Sequence, residues 1–115
     1  MRFMLFVYPG DTDPGPTLER VQAMNAYNEE LSRAGVLLAL DGLHPPAAAT
    51  RLTFTGDGRP AVTDGPFTEA KELVGGYWVI QASSKEEAVQ WAARCPARDG
   101  DTIEVRPIQR APGDD

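Results

Sequence analysis

Residues 2–8 read Arg-Phe-Met-Leu-Phe-Val-Tyr, a run of β-favouring and mainly apolar side chains. Alternate side chains of a strand point to opposite faces of its sheet. Because this run is apolar at odd and even positions alike, both faces of the strand must be covered. Residues 36–40, which read Val-Leu-Leu-Ala-Leu, have the same character. The two runs therefore predict two strands, each with both faces covered.

The segment between these strands has the periodicity of an amphipathic helix over about residues 17–34. Thr17 is placed to cap its first turn, and Gly35 follows where a left-handed residue commonly ends a helix. One apolar stripe recurs every three or four positions and consists of Leu18, Val21, Met24, Tyr27 and Leu31.

A second helix is predicted to begin after Ser84. Ser84 and Glu87 have the spacing of a capping box, in which each side chain accepts a hydrogen bond from the other residue's free backbone N–H. Pro96 ends this helix, and strands at residues 77–82 and 102–107 flank it. Its inner stripe consists of Ala88, Trp91, Ala92 and Cys95.

An insertion is predicted between the second and third strands of the sheet. Residues 41–49 are irregular around two prolines. A hairpin then pairs residues 51–55 with residues 60–63 through a Gly-Asp-Gly-Arg turn, whose Asp-Gly step favours positive φ.

These elements follow the order strand, helix, strand, inserted hairpin, strand, helix, strand. A short chain with this order usually forms an antiparallel sheet with both helices on one face. We therefore expect an α+β domain of the ferredoxin-like βαββαβ type with an inserted β-hairpin. It is expected to span residues 1–108, with a polar tail at residues 109–115.

The sheet face without helices is expected to be apolar with a charged margin, to which the last strand contributes Glu104 and Arg106. A large apolar patch is rare on a monomer and usually marks an interface. Two copies are therefore expected to pack face to face as a homodimer and to leave a ligand cleft between sheet and loops. The third strand adds one of two alternating pairs, either Tyr77 with Val79 or Trp78 with Ile80.

The composition makes several partners unexpected. The 115 residues include 11 Lys and Arg against 17 Asp and Glu, with a formal net charge of -6. Nucleic acid requires clustered positive charge, so it is not an expected partner. The apolar runs are too short to span a membrane, and the one cysteine, Cys95, cannot form an internal disulfide. We expect a cytoplasmic protein without a membrane partner, and no residue set predicts a metal site or a cofactor.

A signature stands at residues 64–72, Asp-Gly-Pro-Phe-Thr-Glu-Ala-Lys-Glu, followed by Gly-Gly-Tyr at residues 75–77. It resembles the hallmark of the DGPF branch of YCII-related proteins. Three further stretches agree with that branch and extend the resemblance over residues 2–108. They are residues 2–5, residues 42–46 (Gly-Leu-His-Pro-Pro), and residues 92–96 taken with residues 104–108.

The resemblance implies a ferredoxin-like domain of the dimeric α+β barrel type, in a family without a settled biochemical activity. Members are often described with extracytoplasmic-function sigma factors, so a sigma factor is a possible partner. More distant YCII relatives have a His–Asp pair proposed as catalytic. This chain departs from that pattern, because its only histidine, His44, lies after the second strand.

The Asp64-Gly65-Pro66-Phe67 turn has a structural and a functional interpretation. In the structural one, Asp64 bonds to backbone N–H groups, Gly65 allows positive φ, Pro66 fixes the reversal and Phe67 anchors the loop in the core. In the functional one, Asp64 faces a cleft as a ligand acceptor or a base. One or two helical turns are expected to follow at residues 68–73.

Asp64 and His44 are the candidate catalytic residues. His44 could act as a base near neutral pH, or it could be a loop residue bonded to backbone or water. The cleft would be lined by Tyr8, His44, Asp64, Phe67 and Arg106. Glu104 and Arg106 could instead pair with each other or across a dimer.

Three functions fit these observations. The first is a homodimeric domain that binds an unidentified small molecule, with or without catalysis. The second is a regulatory interaction module that works with a sigma factor and has no chemistry. The third is a structural dimer in which the 64–67 turn only maintains the fold.

Overall fold

The computed structural model describes residues 1–10, 15–66 and 73–111 of the chain. Two α-helices and six strands lie within these ranges. Their bounds are β1 Arg2–Tyr8, α1 Leu18–Arg33, β2 Leu37–Gly42, β3 Thr50–Thr53, β4 Ala61–Asp64, β5 Gly76–Gln81, α2 Lys85–Ala93 and β6 Thr102–Pro107. An antiparallel sheet has the strand order β2-β5-β1-β6, and β3 pairs with β4 as a separate hairpin. The predicted α+β class with an antiparallel sheet is confirmed.

The core lies between one face of the four-stranded sheet and the two helices. Phe3 and Leu5 of β1, Ile80 of β5, Leu31 of α1 and Ala88 of α2 are fully buried in one cluster. Phe3 lies opposite Ile80 across the β1–β5 pair, and directly opposite residues share a face of a sheet. Both helices therefore cover the same face.

α1 begins and ends at the predicted positions. Thr17 Oγ1 accepts a hydrogen bond from the Arg20 backbone N–H at 3.2 Å. Gly35 has a φ of +73° just beyond the helix, in the left-handed region that glycine adopts without strain. Both terminal signals in the sequence are thus confirmed.

The predicted apolar stripe of α1 is buried only in its second half. Tyr27 and Leu31 are buried, whereas Leu18 and Val21 are 75% and 44% exposed. The reason is the position of the first turns, which border an open groove at the end of the sheet. Apolar periodicity alone does not reveal where a helix extends past its sheet.

The capping box of α2 is confirmed in one of its two halves. Ser84 Oγ accepts a hydrogen bond from the Glu87 backbone N–H at 3.1 Å. Glu87 Oε2, however, accepts from the N–H and hydroxyl of Ser83, at 2.6 and 2.5 Å, instead of from Ser84. These hydrogen bonds hold the pKa of Glu87 below its usual value.

β2 is an edge strand, and this corrects the expectation that both its faces are covered. Leu38 and Ala39 are exposed, and the pairing with β5 shifts register between Leu37 and Ala39. β1 lies between β5 and β6 instead, and its residues on the second face, such as Phe6, are half-buried. The two apolar runs differ in position within the sheet, which composition does not encode.

The hairpin is exposed along its whole length. Every residue of β3 and β4 is exposed, and Gly56 and Gly58 have φ values of +91° in the connecting turn. A short 3₁₀ helix, Pro46–Ala48, precedes it in the segment predicted to be irregular. Of the helical turns predicted at residues 68–73, only Leu73 lies within the described residues, and it is not helical.

Within the ranges given above, no helix is long and apolar enough to cross a membrane.

Candidate functional site

The sheet face away from the helices is the first candidate surface, which we call the open face. Phe6 of β1 lies opposite Tyr77 of β5 on one side and Glu104 of β6 on the other. Because opposite residues share a face, Tyr77 and Val79 are the β5 pair on this face. The side chains of β1, β5 and β6 on the open face are Arg2, Met4, Phe6, Tyr8, Tyr77, Val79, Gln81, Thr102, Glu104 and Arg106.

A polar network crosses the β1–β6 half of the open face. Arg106 forms an ion pair with Glu104, and its guanidinium carbon lies 5.3 Å from the centre of the Phe6 ring. The Tyr8 hydroxyl donates a hydrogen bond to Glu104 Oε1 at 3.1 Å. Arg106 and Tyr8 are therefore both engaged by Glu104, which confirms the predicted pairing of Glu104 with Arg106.

The second candidate surface is a groove of about 770 Å³ at one end of the sheet. The first turns of α1 form one wall, the loop that follows β2 forms another, and the segment before β5 forms the third. We call it the α1 groove. Its side chains include Arg20, Val21, Met24, Asn25, Leu43, His44, Pro45, Pro46, Leu73 and Val74. The walls are mainly apolar, with polar groups at a few points.

A smaller cavity of about 310 Å³ continues the α1 groove between α1 and the sheet, and Arg20 and Met24 line both spaces. Its inner end is formed by Asn28 and Trp78, whose indole Nε1–H donates to Asn28 Oδ1 at 2.7 Å. The ring of Tyr27 meets Trp78 edge-on, with the ring centres 5.6 Å apart. The Trp78 ring at the inner end is thus held by one hydrogen bond and one edge-on ring contact.

Arg20 is held at the junction of the two spaces by a buried carboxylate. Its Nη2 donates to Asp101 Oδ2 at 3.2 Å, and the Asp101 side chain is 2% exposed. Asp101 also accepts hydrogen bonds from the backbone N–H groups of Gly10 and Arg98, each at 3.0 Å. Burial alone would raise the pKa of Asp101, but these hydrogen bonds and the Arg20 charge outweigh it, so the pKa lies below its usual value.

The 64–66 turn packs against the loop that forms the α1 groove. The Gly65 N–H donates to the Ala49 carbonyl at 2.8 Å, and a Cβ atom at position 65 would lie 1.9 Å from the Pro46 carbonyl oxygen. Asp64 Oδ1 accepts a hydrogen bond from the Thr50 hydroxyl at 2.8 Å. The described part of the motif therefore braces the 3₁₀ helix whose first residue, Pro46, lines the groove.

Comparison with known proteins places the chain in a family. The family model named YCII-related domain matches residues 1–111 of the chain. The chain belongs to the YCII-related family. It is also 34% identical to an uncharacterized protein of Rhizobium meliloti (strain 1021) over 93 residues, which cover 78% of this chain and 74% of that protein.

Within this YCII-related domain, the five predicted ligand residues fall into separate places. Tyr8 and Arg106 lie on the open face, His44 lines the α1 groove, and Asp64 lies at the exposed base of the hairpin. Asp64 lines neither the α1 groove nor the smaller cavity. Phe67 lies outside the described residues.

The predicted reason for glycine at position 65 of this YCII-related domain, a positive φ, is wrong. Gly65 does not have a positive φ. Glycine is required because the Pro46 carbonyl leaves no room for a side chain. Sequence inspection shows a glycine in a turn but does not show which backbone segment approaches it.

Arg20 and Asp101 are the site residues that sequence reasoning missed. They are 81 positions apart, and no local motif joins them. One signal was available: Arg20 is a basic residue in the first turn of a helix, where the dipole favours acidic side chains. A cation in that position indicates that another group compensates for it.

Proposed function

We propose that this YCII-related protein is a homodimeric, ferredoxin-like domain of the DGPF branch that binds a small molecule in the α1 groove. The observation that carries the proposal is the meeting of Arg20, Asn25 and His44 on a groove of about 770 Å³ with mainly apolar walls. Ligand sites are typically concave spaces of about 300–1,000 Å³ with apolar walls and a few convergent polar groups.

The strand order supports the ferredoxin-like part of the proposal. Without the hairpin, the elements run βαββαβ, and the antiparallel sheet has the order β2-β5-β1-β6. The DGPF assignment is supported by the sequence Asp-Gly-Pro-Phe at residues 64–67.

The dimer is supported by the open face. Met4, Phe6 and Val79 are apolar side chains on the sheet face that neither helix covers. A second copy packed on this face would remove them from water, and this burial is the main driving force of association. The charged network of Glu104 and Arg106 lies towards the β6 edge, which suits the rim of such an interface.

A thermal-shift screen against a metabolite library tests the binding proposal. A compound that binds only the folded protein raises its melting temperature. We expect at least one compound to stabilise the unmodified protein and to lose this effect in His44→Ala, while the exposed α2 variant Gln90→Ala keeps it. The proposal fails if no compound stabilises the protein, or if every stabilising compound acts equally on His44→Ala.

A regulatory interaction module is the second candidate, favoured by the exposed hairpin. Leu52 and Val62 are paired across the hairpin, and Phe54, two residues after Leu52, is 78% exposed. Such apolar exposure is a common feature of protein interaction surfaces. Co-purification with an extracytoplasmic-function sigma factor that is lost in Phe54→Ser and kept in His44→Ala would favour this candidate.

A further inference from the structure

We propose that the ligand of the α1 groove is an organic acid whose carboxylate or phosphate group binds Arg20 and whose apolar part lies in the groove. This inference rests on the proposed binding function and adds the chemical class of the ligand. It depends on the free hydrogen-bond donors of Arg20, on how this side chain is held, and on the character of the groove walls.

The Arg20 guanidinium has donors to spare. A guanidinium carries five N–H donors. In the described structure the Arg20 side chain forms one hydrogen bond, from Nη2 to Asp101, which uses one of these donors. The side chain is 17% exposed and lines both the groove and the smaller cavity. No buried side-chain nitrogen or oxygen of the described residues lacks a partner, so the remaining guanidinium nitrogens reach the open space.

Asp101 holds the Arg20 guanidinium in place and leaves most of its N–H donors free. The carboxylate divides its hydrogen bonds between Arg20 and the N–H groups of Gly10 and Arg98. The guanidinium is therefore oriented before a ligand arrives, which lowers the entropic cost of binding. A planar guanidinium with free N–H groups is the side chain best suited to pair with a carboxylate or phosphate.

The position of Arg20 on α1 adds to the preference for an anion. Arg20 lies in the first turn of a 16-residue helix that begins at Leu18. The amino end of a helix carries a partial positive charge that favours negative groups. The helix end and the guanidinium thus act in the same direction.

The groove walls select the rest of the ligand. Val21, Met24, Leu43 and Pro45 give the space beside Arg20 a mainly apolar surface. A small inorganic anion would use the guanidinium alone, whereas an acid with an aliphatic or aromatic body would also gain from burial of that body. The walls and the cation together match an amphipathic acid.

Matched pairs of acid and neutral compound test this inference on the unmodified protein. The probes are phenylacetate with phenylacetamide, octanoate with octanamide, and phenyl phosphate as the phosphate arm. Binding is followed by ¹⁵N–¹H NMR, with the Trp78 indole N–H at the inner end of the small cavity as the reporter. We expect each carboxylate to bind at least about tenfold more tightly than its amide, because its charge strengthens the hydrogen bonds that it accepts from the guanidinium.

Variants then assign the preference to Arg20. Arg20→Lys keeps the charge and loses the planar fork, so we expect the acid preference to fall by severalfold. Arg33→Lys is the matched control, because Arg33 is an exposed arginine near the other end of the same helix, paired with Glu29. It should keep the full preference. If Arg20→Lys does not fold, the comparison of acid with amide on the unmodified protein still decides.

The outcomes separate this inference from the proposed function. Equal affinity for acid and amide overturns the inference and leaves the binding function in place. An acid preference that Arg20→Lys and Arg33→Lys both keep also overturns it. If none of the probes binds, the inference fails, and the metabolite screen decides on the groove itself.

Discussion

A Cβ atom at Gly65 would lie 1.9 Å from the carbonyl oxygen of Pro46. Gly65 also donates its N–H to the Ala49 carbonyl at 2.8 Å. The 64–66 turn and the 3₁₀ helix are consequently one packed unit, and the glycine is required for the close approach of two backbone segments.

Substitution Gly65→Ala should therefore destabilise the protein. The new methyl group must displace backbone atoms, and such overpacking typically costs about 1–3 kcal/mol. Urea denaturation measures the change in the free energy of unfolding. Gly42→Ala is the matched control, because no atom lies within 4 Å of the Cβ position there. Equal stability of the two variants would show that the contact at Gly65 is unimportant.

Substitution Asn28→Ala should leave the Trp78 indole N–H without its acceptor. Trp78 is buried, and its Nε1 lies 2.7 Å from Asn28 Oδ1. An unsatisfied buried donor costs about 1–3 kcal/mol, which urea denaturation would detect. The control Asn25→Ala changes an exposed residue of the same type on the same helix. A loss of stability no larger than that of Asn25→Ala would contradict this role.

The thiol of Cys95 should react slowly with iodoacetamide. Burial raises the pKa of Cys95 from 9.0 to about 11, and the thiolate is the reactive form. A higher pKa means less thiolate at a given pH. Because each pKa unit lowers the thiolate fraction about tenfold well below the pKa, the reaction rate at pH 8 should be about a hundredfold below that of a free thiol. The rate should keep rising well above pH 9, and urea-unfolded protein should react normally. A profile that levels off near pH 9 in the folded protein would contradict the effect of burial.

Substitution Val79→Glu should prevent the proposed dimer. Val79 lies on the open face, opposite Met4 of β1, and an unpaired carboxylate buried in an interface is strongly unfavourable. Sedimentation at micromolar concentration should give the single-chain mass of 12.5 kDa for this variant and a larger mass for the unmodified protein. The control Val89→Glu, at an exposed position of α2, should keep the larger mass. Single chains in all three proteins would refute the dimer.

Local chemistry was sufficient to predict much of the fold. The caps at Thr17 and Ser84 and the left-handed Gly35 depend on residues within about four positions, and all three are confirmed. The alternation on β6 likewise predicted that Glu104 and Arg106 share a face and pair with each other or across a dimer, and the two residues pair with each other. Such features follow from sequence spacing alone.

Features that depend on distant contacts could not be predicted. The exposure of Leu38 follows from the edge position of β2, and the fit of Gly65 against Pro46 follows from how two loops meet. The Arg20–Asp101 pair joins residues 81 positions apart. In each case the sequence supplies suitable residue types, and only the tertiary arrangement decides which of them meet.

The sharing of Asp101 between distant segments has a consequence for biosynthesis. Its contacts with Arg20 and Gly10 close loops of 81 and 91 residues. Such long-range contacts tend to form late, because closing a long loop costs chain entropy before the contact contributes any stabilisation. A nascent chain that has emerged only as far as α2 contains Arg20 but lacks Asp101, which holds this side chain in the folded protein. The guanidinium acquires its final orientation only once residue 101 has left the ribosome.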